Sequence, residues 1–247
     1  MLKNIKDFKV SYSYPLEYPV KVVVTTLNRL GLVGWLFQKY GAKVEPYQLV
    51  ITERILEVPT LHEWLGHLFA NPQGKKVLEI GHVASQVSLE LANMGYTVTG
   101  ADLRPYPFSH QNLTSVVGDF LKLSFKEQFD CIFSLSTIEH FGFSKRYGGY
   151  DQPDNNLDED AFKKIAESLV SGGHAIITVP YAKAWCAGIW FKVYTRTVIE
   201  GKLGMHFSIL EKRYYKRSNN EWLPVLEHAQ DPDSPHDGVA LFLLKKK

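Results

Sequence analysis

The stretch that most constrains this chain is residues 76–103, KVLEIGHVASQVSLELANMGYTVTGADL. An apolar run, Val77-Leu78-Glu79-Ile80, stops at Gly81. A helical pattern follows over 85–94, with Val87, Leu91 and Met94 on one face, and Gly95 closes it. A second apolar run, 96–101, ends at Asp102. Strand, turn, helix and strand in roughly 30 residues make a βαβ unit, and a parallel sheet follows from it. Such a sheet holds its ligand in the crevice at the carboxyl ends of its strands. Both strands deliver a carboxylate to that rim, Glu79 and Asp102.

Two ligand classes use this arrangement. A dinucleotide needs G-x-G-x-x-G after the first strand, so that bare backbone can approach a pyrophosphate. Here the turn reads Gly81-His82-Val83-Ala84-Ser85, without the second and third glycines. The Glu79 charge would also repel a phosphate placed there. A ligand with an ammonium group and no phosphate fits better, and S-adenosylmethionine is one. Glu79 would hold its charged methionine end, and Asp102 would accept from the ribose hydroxyls. Backbone N–H groups behind Ser85, a candidate helix N-cap, would meet its carboxylate.

At 247 residues the chain makes one large domain or one domain with appendages. We expect a helical extension or cover over residues 1–72 and the α/β domain over 73–247. A formal net charge of +2 argues against a nucleic-acid surface. No apolar stretch is long enough to span a bilayer. Two cysteines, Cys131 and Cys186, form neither a metal spacing nor a disulfide framework, and with no leader visible the expected compartment is cytoplasmic.

In chain order, apolar runs over 18–40 suggest two short helices, and strand-like and turn-like pieces follow around Pro46 and Pro59. Thr60 would cap a helix over 61–70, with Leu61, Trp64, Leu65 and Leu68 on one face. Tyr47, Glu53, Arg54 and Glu57 lie just upstream of the βαβ unit and read as surface or structural groups. Residues 113–117 form a third strand ending in Gly118-Asp119-Phe120. At this rim Asp119 would accept an adenine amine and Phe120 would stack on the base. Residues 130–135 form a fourth strand that continues as Ser136-Thr137-Ile138-Glu139-His140. A polar loop over 143–157 is long enough to be a lid. Asp158 would cap the next helix, Gly172-Gly173 would end it, and 174–179 would be the fifth strand. Trp185, Trp190 and Tyr194 offer apolar walls. A helix over 195–202 precedes two late strands, 206–216 and 238–244, joined by a polar loop over 217–237. They would add a hairpin to a doubly wound, mostly parallel, seven-stranded Rossmann-like sheet.

Assembled, VLEIGH, TGADL, VVGDF, FDCIFSLSTIEHFG and SGGHAIITVP resemble, in order and spacing, the class I S-adenosylmethionine-dependent methyltransferases. The fuller string GHVASQ, DLRPYPFSH, STIEHFG, RYGGY and RYYKR is similar to a bacterial-type subgroup often found beside glycosyltransferases. The resemblance implies a methyltransferase sheet and S-adenosylmethionine as cofactor. The cofactor set is Glu79, Gly81, His82, Ser85, Asp102, Leu103, Gly118, Asp119, Phe120, Ser134, Leu135 and Ser136. It also implies a small-molecule acceptor, a sugar, glycoconjugate or other secondary metabolite, methylated on oxygen. The turn Gly81-His82-Val83-Ala84 departs from the family's Gly-x-Gly-x-Gly. His140 is the candidate general base and Glu139 its orienting partner or a substrate contact. Some members bind a divalent ion through E-x-x-E-H. Here Ser136 stands first, so no metal is expected. A non-catalytic binding or scaffold protein and a nicotinamide-dependent oxidoreductase are the rival readings, and a homo-oligomer is left open.

Overall fold

The computed structural model describes residues 52–143, 156–187, 191–219, 221–234 and 236–247. The expected helices over 18–40, most of the 143–157 loop and Trp190 lie outside them. The chain divides into two compact units, Met1–Val50 and Ile51–Lys247, and the described residues belong to the second.

An eight-stranded sheet is its centre, in the order β3-β2-β1-β4-β5-β10-β8-β9. The strands are β1 (Lys76–Ile80), β2 (Thr97–Asp102), β3 (Leu113–Val117), β4 (Phe129–Leu135), β5 (Leu169–Pro180), β8 (Phe207–Ser218), β9 (Glu221–Pro224) and β10 (Gly238–Lys246). β1 to β5 run parallel, in the register Ile80 beside Ala101 and Ser134. β10 is antiparallel to both β5 and β8. A short ribbon, β6 (Cys186–Ala187) and β7 (Lys192–Val193), stands apart. The sheet is therefore mixed and one strand wider than expected. The additional strand, β9, comes from the 217–237 segment read as loop, and its Trp222 and Leu223 pair with Arg217 and Lys216.

Two apolar faces cover the sheet. On one, α1 (Arg54–Leu68) and α2 (Val87–Met94) bury Leu61, Trp64, Leu65, Val87 and Leu91 against Val77, Phe133 and Leu241. On the other, α3 (Leu157–Ser168) and α4 (Arg196–His206) bury Phe162, Ile165, Ile199 and Leu203 against Leu78, Ile132 and Phe242. Apolar area removed from water is the main stabilising term here. β10 is buried on both faces along most of its length, which its unbroken run VALFLL encodes.

α1 begins earlier than expected and runs through Pro59. That proline removes one helical hydrogen bond. The buried face of Leu61, Trp64 and Leu65 outweighs the loss, and Trp64 Nε1 adds a bond to Glu211 Oε2 at 3.0 Å. Asp158 is not a helix cap. It is fully buried and accepts from Lys192 Nζ at 2.7 Å and from the Tyr194 hydroxyl at 3.0 Å. A buried carboxylate needs such partners. α3 ends at Ser168, and Gly172-Gly173 lie inside β5. Thr195 caps α4 through Val198 N–H.

Candidate functional site

The carboxyl rim of β1, β2 and β4 gathers most of the expected residues. Gly81 sits at φ +84, a conformation glycine adopts freely. A Cβ there would lie 2.4 Å from Thr137 Oγ1, so the turns after β1 and β4 meet backbone to side chain. The following single turn, His82–Ala84, is 3₁₀.

His82 is accommodated by a glycine on the neighbouring strand. Its ring is wholly buried and points back over the sheet. A Cβ on Gly100 of β2 would lie 2.2 Å from His82 Nδ1, so the missing side chain on the strand makes room for the ring. Nε2 is 3.1 Å from Ser115 Oγ, and the Tyr106 ring covers the imidazole at 4.4 Å. Burial lowers the His82 pKa, so the neutral form is favoured. His82 is part of the floor beneath the turn. Tyr106, whose hydroxyl donates to Ser85 O at 3.0 Å, is a rim residue that sequence reasoning missed.

Glu79 faces α2 and is 2% exposed. Its Oε2 accepts from Ser88 Oγ at 2.5 Å. Desolvation raises its pKa, against the hydrogen bonds from Ser88 and Ser85 and the charge of Arg54. A carboxyl group in this state gains from any cation delivered to it. Asp102 is more fully engaged. Its Oδ1 accepts from Arg104 N at 3.0 Å and Arg104 Nε at 3.1 Å. Its Oδ2 accepts from Val83 N at 3.1 Å and Arg104 Nη2 at 3.3 Å. Arg104 carries no sequence signal for this role, because i, i+2 pairing depends on the turn. Ser85 does not cap α2, whose N-cap is Gln86; its Oγ accepts from Val87 N at 3.0 Å. Leu103, at 36% exposure, leaves an apolar side chain open beside Asp102.

The third strand end differs from expectation. Gly118 N donates to Asp102 O at 2.8 Å, which joins the two rims. Asp119 accepts from Leu121 N at 3.0 Å and lies 3.4 Å from Lys122 Nζ. Phe120 turns into the core, 4% exposed, beside Phe125 and Phe141 and under the Lys164 ammonium. It offers no open face to a base, because a phenyl ring gains more by burial there than at a wet rim.

The end of β4 carries the most unusual backbone. Ser136 has φ +44, strained for a residue with a Cβ. It is held by Thr178, which accepts Ser136 N–H on Oγ1 at 2.8 Å, and by Glu57, which accepts Ser136 Oγ at 2.5 Å. Thr178 Oγ1 also donates to Glu57. Glu57 is wholly buried at this rim, and Arg54 Nη2 donates to Leu135 O at 3.3 Å. The first turn of α1 is thus a wall of the site, a role that the proline beside it concealed in the sequence.

Glu139 and His140 share one 3₁₀ turn, Ile138–His140, but face different surroundings. Glu139 is 3% exposed, and burial pushes its pKa well up, reinforced by Glu57 and Glu53 and opposed by Arg54. His140 is half-buried, its ring edge-on to Phe191 at 6.0 Å. Trp185 is 45% exposed, whereas Tyr194 is wholly buried on Asp158 and walls no cleft. Among the described residues five buried polar atoms lack a hydrogen-bond partner: Glu57 Oε2, His82 Nδ1, Ser134 Oγ, Glu139 Oε2 and the Tyr181 hydroxyl. Glu57, Ser134 and Glu139 stand at the carboxyl rim, and orphaned polar groups concentrated in one place mark where a ligand belongs. A groove of about 700 Å³ between residues 121–128 and α3 contains none of the expected site residues.

Residues 78–177 match the family described as a methyltransferase domain. Comparison with curated protein sequences finds no match. Among solved structures, N-methyltransferase NodS from Bradyrhizobium japonicum WM9, in complex with S-adenosyl-L-homocysteine, is 17% identical, with TM-score 0.55, covering 83% of this chain and 93% of that one. The 1,6-didemethyltoxoflavin-N1-methyltransferase of Burkholderia thailandensis, with its substrate and S-adenosylhomocysteine bound, is 14% identical, with TM-score 0.57 and coverage of 97% and 93%. These likenesses show that the chain shares their Rossmann-like fold. Among the described residues no helix is long and apolar enough to cross a membrane.

Proposed function

We infer that this chain, whose residues 78–177 match a methyltransferase-domain family, is an S-adenosylmethionine-dependent methyltransferase acting on a small molecule. The observation that carries the cofactor is Glu79: a carboxyl group 2% exposed, supported by serine hydroxyls, at the end of the central strand. An ammonium group is the complement it lacks. Gly81, Ser85 and the His82 turn form the cradle, Asp102 and Leu103 take the ribose end, and Gly118 and Asp119 the adenine end. Ser134, Leu135 and Ser136 flank the reacting end. Phe120 serves from beneath, as core.

When bound, the cofactor supplies a methyl group on a sulfonium, an activated leaving group, so positioning carries much of the rate. Two side chains at the β4 rim can take a proton from the acceptor. A hydroxyl acceptor calls for His140, the half-buried imidazole beside Phe191. An amine acceptor that enters as an ammonium ion could pass its proton to the buried Glu139. The sequence strings shared with members found beside glycosyltransferases support a sugar or glycoconjugate acceptor. Titration calorimetry with S-adenosylmethionine, S-adenosylhomocysteine and NAD tests the reading. Binding of the first two without NAD is expected, and binding of NAD alone would sink it in favour of an oxidoreductase.

A further inference from the structure

Glu139 is the one expected catalytic residue whose surroundings ask for a particular chemistry. It is 3% exposed and its Oε2 has no hydrogen-bond partner. Glu57, wholly buried on the facing wall of α1, also has an Oε2 without a hydrogen bond, with Arg54 Nε 3.5 Å away. Glu57 Oε1 is already occupied by the Ser136 and Thr178 hydroxyls. The main charges bearing on Glu139 are the carboxylates of Glu57 and Glu53 and the guanidinium of Arg54, two negative against one positive. Tyr194, also within its field, is neutral and bonded to Asp158.

A buried group of this kind costs free energy in either state. Ionised, it faces two carboxylates against the single guanidinium of Arg54, and protonated, it leaves an oxygen unsatisfied. A hydroxyl acceptor would fill the hydrogen bond but leave the charge uncompensated. An ammonium group would do both.

Resting on the methyltransferase reading, we propose that the acceptor presents a basic nitrogen, held between Glu139 and Glu57 at the end of β4. The acceptor enters as an ammonium ion hydrogen-bonded to Glu139 Oε2. Its proton passes to that oxygen and frees the nitrogen lone pair. The lone pair forms the bond to the methyl carbon, and the electron pair of the breaking carbon–sulfur bond stays on sulfur. Glu139 then returns its proton to water. Burial raises the carboxyl's affinity for that proton.

The test uses the full chain with S-adenosylhomocysteine added and matched probes, benzylamine against benzyl alcohol and glucosamine against glucose, titrated by calorimetry. The amine of each pair is expected to bind at least tenfold more tightly. Glu139→Gln should abolish the preference while the variant still melts cooperatively and keeps its S-adenosylhomocysteine affinity, and Glu139→Asp should restore part of it. Equal binding within the pairs, no binding of either amine, or a preference that survives Glu139→Gln overturns the proposal. The wild-type comparison decides it even where a variant fails to fold. Failure of S-adenosylhomocysteine to bind would instead count against the cofactor reading, and the amine comparison would then be run on the chain alone.

Discussion

Gly100→Ala tests whether the strand glycine makes room for the buried His82 ring. In an ordinary strand this change stabilises by about 0.5–1 kcal/mol, because glycine loses more conformational freedom on folding. Here the new methyl carbon would lie 2.2 Å from His82 Nδ1 and 2.5 Å from both Cε1 and Cγ. Comfortable carbon contacts are about 3.5–4.0 Å, so the ring must move by more than about 1 Å. It is wholly buried and covered by Tyr106. Overpacking of this severity costs about 2–3 kcal/mol, and separating His82 from Ser115 adds about 1 kcal/mol. We expect Gly100→Ala to lower stability by about 3 kcal/mol in urea denaturation. The melting temperature should fall by about 6–12 °C, at about 2–4 °C per kcal/mol for a domain of this size. Adding His82→Gly should recover about 2 kcal/mol, a coupling well above the error of additive sites. A neutral Gly100→Ala, or a double variant whose losses simply add, would refute the compensation.

Other outcomes follow from the rim. Asp102→Ala strips the partner from Val83 N and Arg104 and should weaken S-adenosylhomocysteine binding by about 1–3 kcal/mol in calorimetry. The raised pKa of Glu139 lies above its unfolded value of 4.5, so the folded state binds more protons between the two. Stability is therefore fully expressed below about pH 4.5 and declines as pH rises through the folded pKa, and Glu139→Gln should flatten that decline in a series of melting curves. His82 has the opposite sign: its folded pKa is below 6.5, so its contribution is present above pH 6.5 and lost on acidification, a loss that His82→Gly removes. His140→Ala should lower kcat on a hydroxyl acceptor by about 10²-fold and leave an amine acceptor almost unaffected, so steady-state rates on both distinguish the bases.

The central strands were legible because apolar runs ending at Gly81, Asp102 and Gly118 combine burial with punctuation. The helical faces of α1 and α3 were legible from spacing, whereas Met94, read onto the buried face of α2, is 50% exposed. What escaped has physical causes. Pro59 argued for a break, yet the apolar face of α1 held the helix through it and carried Glu57 to the rim. Asp158 reads locally as a cap, and only the distant Lys192 and Tyr194 turn it into a buried ion-pair centre. Phe120 follows a rim aspartate, but strand direction and the neighbouring Phe125 and Phe141 send it into the core. The relation between His82 and Gly100 spans two strands, and no local pattern encodes it.

The position of β10 bears on how the sheet is made. It is the last strand in chain order, yet it lies between β5 and β8. During synthesis the parallel half, β1 to β5, can assemble while its β5 edge still waits for a partner. The β8–β9 hairpin can form separately, with its own open edge. Neither can join the other until residues 238–246 emerge and bond to both. Until then two unpaired strand edges face solvent, and such edges template aggregation. The two halves of the sheet are thus joined only when β10 arrives.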